Sequence, residues 1–265
     1  MLDADRLETL IRDNLLVTRL RVIPELVSTQ DEARRLAESG ASPGTVVFAH
    51  RQTGGRGSRG RRWYSPEGSG LYFSILLGQA GDAATPARWT LAASLAVCRA
   101  CRDYAVPAEI KWPNDILIRG RKVAGILAEL RSGPSNPVLA LGIGVNVGQR
   151  EGDFPDELTE TGTSLLMEGG VDCGREELAA AILGQLSTIA GLMYHGDWAQ
   201  VREDWIAMAC GIQGAPVRLR DDAGVAAGPC GTTAGIDEGG ALIVRLEDGS
   251  RTILHSSESL VPMET

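Results

Sequence analysis

Short apolar runs rich in β-branched residues alternate along the chain with longer segments of helical period. Period-two alternation or a continuous apolar run predicts strands over residues 18–26, 44–50, 70–77 and 137–148. Residues 110–118 and 122–130 flank the tight turn Arg-Gly-Arg and predict a hairpin. The last strand, PVLALGIGVNVG, is almost wholly apolar and is therefore expected to be buried on both faces.

Four segments have the spacing of amphipathic helices. The first follows residue 28, where Thr29 and Glu32 stand in the spacing of a capping box. The second covers residues 86–104, and the fourth covers residues 198–209. The third begins at residue 175 and sets one apolar face from Leu178, Ile182, Leu186, Ile189 and Met193.

The pattern changes after residue 211, where helical period disappears. The run LIVRLEDGSRTIL predicts a hairpin with Asp248 and Gly249 at its turn. We therefore expect two domains, an α/β (α+β) domain over residues 1–211 and a small all-β barrel over residues 212–265. The larger domain should be a mixed sheet flanked by helices on one side.

Composition narrows the class of protein. The chain has 265 residues, 43% of them hydrophobic, and a net charge of -8, which is enough for one substantial core. Its N-terminus is acidic, and no run approaches the ~20 apolar residues of a membrane span, so we expect a cytoplasmic protein. Five scattered cysteines suit reduced thiols. Cys98 and Cys101 lie in a segment of helical period and are expected to be half-buried helix residues rather than zinc ligands.

One short segment is strongly basic, although the chain as a whole is acidic. Residues 51–62 (RQTGGRGSRGRR) carry five arginines and four glycines and no acid. Such a long connection between two strands is typical of a functional lid or of a linker. Three interpretations are open: a solvated surface loop, a nucleic-acid contact that uses Trp63 and Tyr64 for stacking, or a loop that folds around a small phosphorylated ligand. Confinement of the charge to one segment favours the third.

The segment QTGGRGSRGRRWYSPEGSGLYFSILL resembles the adenylate-binding loop of the biotin protein ligases. Three further motifs follow the order of that family: STQDEA upstream, KWPNDILIRGRKVAGILAEL downstream, and then GIGVNV. Together they cover most of residues 28–147. The C-terminal TTAGIDEGGALIV is similar to the small barrel of the family, a weaker match.

The resemblance implies a catalytic domain like that of class II aminoacyl-tRNA synthetases, followed by a small Src-homology-3-like β-barrel. It implies a ligase that uses ATP and Mg²⁺ to form biotinyl-5'-adenylate and then transfers biotin to a lysine of the biotin carboxyl carrier domain of acetyl-CoA or related acyl-CoA carboxylases. Many bacterial members begin with a DNA-binding domain, but here the core pattern begins at residue 28, so neither DNA nor a membrane is an expected partner. Lipoate ligases and octanoyl transferases, which lack the repeated Gly-Arg loop, are the alternative enzymes.

The resemblance also assigns residues. Gln30 stands where the family has Asn. Ser58 stands where many members have Arg. The loss of that cation would weaken binding of the adenylate unless Arg59 or Arg61 reaches the same place. Biotin or adenylate contacts are expected from Ser28, Thr29, Gln30, Gln52, Arg56, Gly57, Ser58, Lys122 and Gly125.

Nucleotide contacts and catalytic roles follow in the same way. Lys122 is expected near the biotin carboxylate and the α-phosphate, although a lysine beside a turn is ordinarily solvated. Asn146 lies in an apolar strand, where either ATP or a structural partner satisfies its amide. Nucleotide contacts are expected from Arg59, Arg61, Trp63, Lys111, Asn114 and Asn146, and catalytic roles from Lys122, Arg56 and Asp115, the last as a base for the carrier lysine. The metal ligands stay open.

Overall fold

The computed structural model describes residues 2–78, 85–131, 138–169, 174–221 and 224–263. The helices of these ranges are α1 (Ala4–Leu10), α2 (Thr29–Glu38), α3 (Thr85–Arg102), α4 (Arg175–His195) and α5 (Trp198–Met208). The strands are β1 (Arg19–Leu26), β2 (Thr45–Gln52), β3 (Gly70–Leu77), β4 (Ala108–Lys111), β5 (Asp115–Ile118), β6 (Arg121–Arg131), β7 (Val138–Asn146), β8 (Ala209–Cys210), β9 (Gln213–Leu219), β10 (Cys230–Ile236), β11 (Leu242–Leu246), β12 (Arg251–Leu254) and β13 (Leu260–Pro262).

Eight strands form one mixed sheet in the order β1-β2-β3-β7-β6-β5-β4-β8. The pairs β1/β2 and β4/β8 are parallel, and the other neighbours are antiparallel. The predicted mixed sheet flanked by helices is confirmed. The segment IKWPNDILI forms two strands, β4 and β5, because residues 112–114 turn the chain back before the predicted hairpin of β5 and β6.

Helices cover both faces of the sheet, so the expectation of helices on one side only is wrong. Alternate residues of β2, β3 and β7 face the large core, which contains α3, α4 and α5. The residues between them, Val47, Leu76 and Ala140, pack against Ala33, Leu36 and Ala37 of α2. A central strand that is apolar at every position can bury both of its faces. Here the large core covers one face and α2 covers the other.

The cap of α2 differs from the predicted one. Ser28 occupies the cap position, and its hydroxyl accepts a hydrogen bond from the backbone N–H of Gln30 at 3.2 Å. The Thr29 hydroxyl points into the site described below. Glu32 pairs with Arg35 and with Arg21 instead of reaching back to the cap. The predicted capping box is therefore wrong: the cap lies one residue earlier, at Ser28, and the Thr29 hydroxyl donates to Gln52 instead.

Helices α3 and α4 form the centre of the large core. Cys98 and Cys101 on α3 are fully buried rather than half-buried, and burial raises the pKa of the Cys98 thiol to about 11, which suits an inert core residue. Helix α4 is long and apolar enough by length and composition to cross a membrane, contrary to the expectation from the sequence. Core helices also pass this criterion, and the face of α4 that carries Leu178, Ile182, Leu186 and Ile189 is buried in the core.

The residues after 211 form a second, antiparallel sheet of five strands in the order β12-β11-β10-β9-β13. The predicted hairpin is confirmed as β11 and β12, with Gly249 at φ +84 in the turn. This sheet contacts the large domain through backbone carbonyls. The indole N–H of Trp112 donates to the Gly240 carbonyl at 2.9 Å, and that of Trp198 donates to the Glu238 carbonyl at 2.7 Å.

Candidate active site

The site lies on the face of the large sheet that carries α2, beyond the area that α2 covers. Its floor is made of small residues, because Gly125 of β6 pairs directly with Gly144 of β7 and Gly142 pairs with Ser74 of β3. A β-carbon at Gly144 would come within 2.4 Å of the Trp63 indole nitrogen, and one at Gly125 within 3.1 Å of the same ring. The absence of side chains at these two positions therefore lets Trp63 lie against the sheet.

Two pockets open on this floor. The first pocket spans about 440 Å³ and the second about 1170 Å³, and both volumes include space that is open to solvent. They share four residues, Gly57, Ser58, Trp63 and Lys122. These residues form the junction at which a ligand in one pocket would meet a ligand in the other.

Neutral hydrogen-bonding groups line the inner end of the first pocket. Both the N–H (2.8 Å) and the hydroxyl (3.2 Å) of Thr29 donate to the Gln52 side-chain carbonyl. The Gln52 amide donates to Ser65 Oγ at 2.8 Å, and Ser65 in turn donates to the Trp63 carbonyl. The last residue of β2 is thus connected both to the start of α2 and to the far end of the basic loop.

A second set of neutral contacts attaches Gln30 to the sheet. Its amide donates to the Ala140 carbonyl at 3.0 Å, and its side-chain oxygen lies 3.0 Å from Ser74 Oγ. The same Ser74 oxygen is 2.9 Å from Thr29 Oγ1. Gln30 and Ser74 are buried, so these bonds fix the shape of the pocket before any ligand arrives.

Lys122 stands at the junction of the two pockets. Its ammonium lies 2.5 Å from Asp115 Oδ1 and 5.4 Å from the centre of the Trp63 ring. Both side chains of the ion pair are partly exposed, at 32% and 22%. Lys122 is therefore a paired and partly exposed lysine that lines both pockets.

The basic loop between β2 and β3 has more structure than its glycine content predicts. Arg56 and Arg62 form an antiparallel bridge, and residues 58–60 form a single 3-10 turn with Arg59 at φ +60. The guanidinium of Arg56 contacts Asp31 at 3.0 Å and Glu129 at 3.1 Å. Acidic residues from outside the loop thus hold Arg56 above the first pocket.

Arg59 and Arg61 take different directions from this turn. Arg59 pairs with Glu258 at 2.7 Å and contacts Ser256, so it joins the loop to the C-terminal sheet and lines neither pocket. Arg61 donates to Ser58 Oγ at 3.0 Å and lines the second pocket. Of the two arginines considered as replacements for the cation missing at Ser58, Arg61 is the one beside it.

The structure brings nearly all of the expected site residues together. The first pocket is lined by Ser28, Thr29, Gln30, Gln52, Arg56, Gly57, Ser58, Trp63, Asn114, Lys122 and Gly125. The second is lined by Gly57, Ser58, Arg61, Trp63, Lys111, Asp115, Lys122 and Asn146. Asn114, expected near the nucleotide, lines the first pocket. Arg59 is the expected residue that lies outside both.

Asn146 is satisfied within the protein and also faces the second pocket. Its amide donates to the Thr163 carbonyl at 2.9 Å, and its side-chain oxygen accepts from Gln149 at 3.2 Å. The two alternatives that the sequence left open are therefore compatible.

Three further residues support the site and were not singled out in the sequence. Ser65 and Ser74 lie inside the quoted loop motif, but only the fold shows that they hydrogen-bond to Gln52 and Gln30. Glu168 is almost fully buried beside the second pocket. No local pattern marks it, because its partners lie 5 to 49 residues away.

The metal expected from the resemblance is Mg²⁺. Within the described ranges, no cluster of three or more His, Cys, Asp or Glu side chains is suited to hold a metal ion. Mg²⁺ usually binds one or two carboxylates together with substrate phosphates, and Asp115 and Glu160 line the second pocket. These donors fit an ion that arrives with a nucleotide.

Comparison with known proteins identifies the class of this site. Residues 23–147 match the Biotin/lipoate A/B protein ligase family. The chain is 33% identical to the Biotin--[acetyl-CoA-carboxylase] ligase of Mycobacterium tuberculosis, over 98% of this chain and 99% of that protein. It is 36% identical to the Bifunctional ligase/repressor BirA of Bacillus subtilis, over 86% of this chain and 70% of that protein.

Comparison with a solved structure agrees with these sequence comparisons. The biotin protein ligase from Aquifex aeolicus in complex with biotin and ATP superposes with a TM-score of 0.75 at 29% identity, covering 94% of this chain and 100% of that one. The chain belongs to the Biotin/lipoate A/B protein ligase family.

Proposed function

We propose that this chain is a biotin protein ligase. It joins biotin to ATP as biotinyl-5'-adenylate and transfers the biotinyl group to a lysine in the biotin carboxyl carrier domain of acetyl-CoA carboxylase or a related acyl-CoA carboxylase. The observation that supports this most is the position of Lys122, where a pocket with a neutral inner end meets a second pocket that is lined by Arg61, Arg62 and Lys111. The complex of the Aquifex aeolicus relative with biotin and ATP gives further support.

Biotin occupies the first pocket in this proposal. Its ring system is uncharged and carries a ureido group, which is both a donor and an acceptor. The groups available to it are neutral, namely the side chains of Ser28, Thr29, Gln30 and Gln52. Because these residues are already hydrogen-bonded to one another, little ordering is required when biotin binds.

The adenylation step takes place at the junction. The biotin carboxylate attacks the α-phosphorus of ATP, an anhydride bond forms, and pyrophosphate leaves. Both reactants are anions, so the ammonium of Lys122 and the guanidinium of Arg56 reduce their repulsion and stabilise the charge of the transition state. Arg61, Lys111 and Asn146 hold the nucleotide in the second pocket. Mg²⁺, where bound, neutralises phosphate charge.

Lys122 must exchange partners during this step. Without substrate its ammonium is paired with Asp115 at 2.5 Å. When the biotin carboxylate and the α-phosphate arrive, Lys122 turns to them and Asp115 loses its cation. Asp115 is then available to take a proton from the incoming carrier lysine, whose reference pKa of about 10.4 leaves it mostly charged at neutral pH. The neutral amine attacks the acyl carbon, an amide forms, and AMP leaves.

The expected domain boundary and barrel belong to the same proposal. Strand β8 still pairs with β4 of the large sheet, while β9 begins the second sheet at residue 213, which supports a division into residues 1–211 and 212–265. Two register shifts in β10 bend the small sheet in the way that a Src-homology-3-like barrel needs. The likeness of the large domain to class II aminoacyl-tRNA synthetases is also part of this proposal. A crystal structure of residues 1–265 would test both assignments.

The test of the activity is pyrophosphate exchange into ATP, with biotin, lipoate and octanoate compared side by side. We expect exchange that requires biotin and Mg²⁺ and is negligible with lipoate or octanoate. Exchange supported equally well by lipoate would place the chain with the lipoate ligases instead.

The expected partners follow from the same function. The protein should biotinylate a carboxylase carrier domain, should be found in the cytoplasmic fraction of cells, and should bind neither a membrane nor specific DNA. A gel-shift at physiological salt separates this proposal from the nucleic-acid alternative. A footprint on a defined operator would contradict it.

A further inference from the structure

Glu168 is a buried carboxylate with three partners close to the second pocket. Its side chain is 1% exposed. It accepts a hydrogen bond from the Thr163 hydroxyl at 2.7 Å, and it pairs with Arg119 and Arg121 at 2.6 Å each. Glu168 lines neither pocket, so its role has to be exerted through other residues.

The partners of Glu168 belong to two segments that meet at Lys122. Arg119 and Arg121 flank the turn that leads into β6, where Arg119 has φ +49 and Gly120 has φ +79. Thr163 belongs to the segment that adds a short parallel bridge beside Lys122. Arg119 and Gly120 form the loop of the β5/β6 hairpin, in which Ile118 pairs with Arg121. Glu168 adds an anchor to this loop from outside the hairpin.

The backbone of Lys122 is held by this second segment. Its N–H donates to the Thr161 carbonyl at 2.7 Å, and its carbonyl accepts from the Thr163 N–H at 2.9 Å. The Thr163 carbonyl also accepts from the Asn146 side chain at 2.9 Å. Lys122 and Asn146, which line the second pocket from two different strands, are therefore both attached to Thr163.

We propose that Glu168 is a positioning residue, which clamps the turn at residues 119–121 to the segment at residues 161–163 and so sets the places of Lys122 and Asn146 for ATP. The expected effect on catalysis rests on the proposed function, but the contact between the two segments does not depend on that function. The biotin contacts of α2 and β2 lie outside the clamp.

The electrostatics of Glu168 agree with a permanent clamp. Burial by itself raises the pKa of this carboxyl, but the hydrogen bonds from Thr163, Arg119 and Arg121 outweigh burial and hold it below its ordinary value. Arg119 is 64% exposed and its contact is screened by water, so Thr163 and Arg121 are the stronger partners. Removal of the carboxylate leaves three donors without their acceptor.

The first test separates ATP from biotin. Glu168→Ala and Glu168→Gln are compared with Glu157→Gln, a matched control on an exposed carboxylate of the preceding loop. Loss of the clamp should raise the KM for ATP and lower kcat of exchange, together by up to about a hundredfold. The Kd for biotin, measured by calorimetry, should be unchanged. Glu168→Gln should fall between Glu168→Ala and the wild type, because its amide oxygen can still accept from Thr163.

The second test measures how accessible the Lys122 amine is, and it does not depend on enzyme activity. The chain contains only two lysines, Lys111 and Lys122, so a small amine-reactive label reports on each of them by peptide mass spectrometry, and Lys111 is an internal reference. We expect the labelling rate of Lys122 relative to Lys111 to rise in both Glu168 variants and to stay unchanged in Glu157→Gln, since the ion pair with Asp115 loosens with the turn.

An unchanged ratio and an unchanged KM for ATP in the Glu168 variants would overturn the proposal. A parallel loss of biotin binding, ATP binding and thermal stability would also overturn it, because it would show a general structural role. If Glu168→Ala does not fold, Glu168→Gln decides by the same criteria. A wild-type protein without biotin-dependent exchange would contradict the proposed function, and the labelling ratio would still test the clamp.

Discussion

The two pockets are built by different physical means. The first pocket is lined by buried neutral groups on regular elements, with Ser28, Thr29 and Gln30 each less than 5% exposed. Two cations are paired with carboxylates instead: Arg56 on the glycine-rich loop, at the first pocket, with Asp31, and Lys122, at the junction of the two pockets, with Asp115. The neutral groups of the first pocket are held in place before a ligand binds, whereas Arg56 and Lys122 must exchange internal partners for the ligand.

This difference explains how an acidic chain can serve an anionic substrate. The carboxylates that pair with Arg56 and Lys122 also lower the repulsion among the cations of the site while no substrate is bound. A triphosphate carries more negative charge and more acceptor oxygens than one carboxylate, so it can displace that carboxylate from its cation. Neutral hydrogen bonds in the first pocket need no such exchange.

The largest effect should come from Lys122→Ala. Because the ammonium acts on charge that develops as the carboxylate meets the α-phosphate, the rate of adenylation should fall by roughly a hundredfold or more. Biotin affinity and thermal stability should change little. Single-turnover adenylation and calorimetric biotin binding check this, with Lys122→Arg as the charge-preserving control. A variant with near-normal adenylation and only weaker biotin binding would show Lys122 to be a binding residue.

The next effect should come from Gln30→Leu in the first pocket. This change leaves the Ala140 carbonyl and Ser74 without their buried partner, a cost of about 1–3 kcal/mol. Biotin affinity and the melting temperature should therefore both fall, while the KM for ATP should stay the same. Gln200→Leu, on the exposed side of α5, is the control. Weaker biotin binding at unchanged stability would mean that the pocket is not pre-formed.

Proteolysis should distinguish the loop from the rest of the site. Trypsin should cut the free protein first within RGSRGRR, since ion pairs at the surface hold that segment weakly. Biotin, ATP and Mg²⁺ together should slow this cleavage, by about tenfold for each substrate that is present at ten times its Kd. Arg56→Ala should lose much of the protection, and Ser58→Arg should retain or increase it.

Equal cleavage rates with and without substrates would show that residues 51–62 are a solvated surface loop and not a lid over the ligand. Glu258→Gln is a useful companion variant, because it removes the partner of Arg59 in the C-terminal sheet without a change to either pocket. It should speed cleavage in the free protein more than in the liganded one.

The smallest expected effect is on the pH dependence of stability through Glu168. The pKa of its carboxyl is lowered in the folded protein, so its contribution to stability is complete above the unfolded value near 4.5 and is lost as the pH falls through the lower folded value. The difference in melting temperature between the wild type and Glu168→Gln should therefore be constant from pH 8 to about pH 5 and shrink at more acidic pH. A difference that grows toward acid would contradict this account.

Local physics determined a large part of this protein. Strand alternation and apolar period gave β3 at residues 70–77 and the hairpin of β11 and β12, because each depends on residues that are neighbours in the sequence. The four ordered motifs, which indicated the site through a family resemblance, contain every residue that lines the first pocket, but they leave out the residues of 154–162 that line the second.

Only the tertiary structure decided the partners. The spacing of Thr29 fits a helix cap, but in the folded protein its hydroxyl donates to the side-chain oxygen of Gln52. Arg59 and Arg61 are two residues apart in one basic run, yet the positive φ at Arg59 sends it to Glu258, while Arg61 stays beside Ser58. Glu168 has no local signal, because a buried carboxylate is explained only by donors that distant parts of the chain bring to it. The residue types can be read in order along the chain, whereas the pairing of charges depends on distances that exist only after folding.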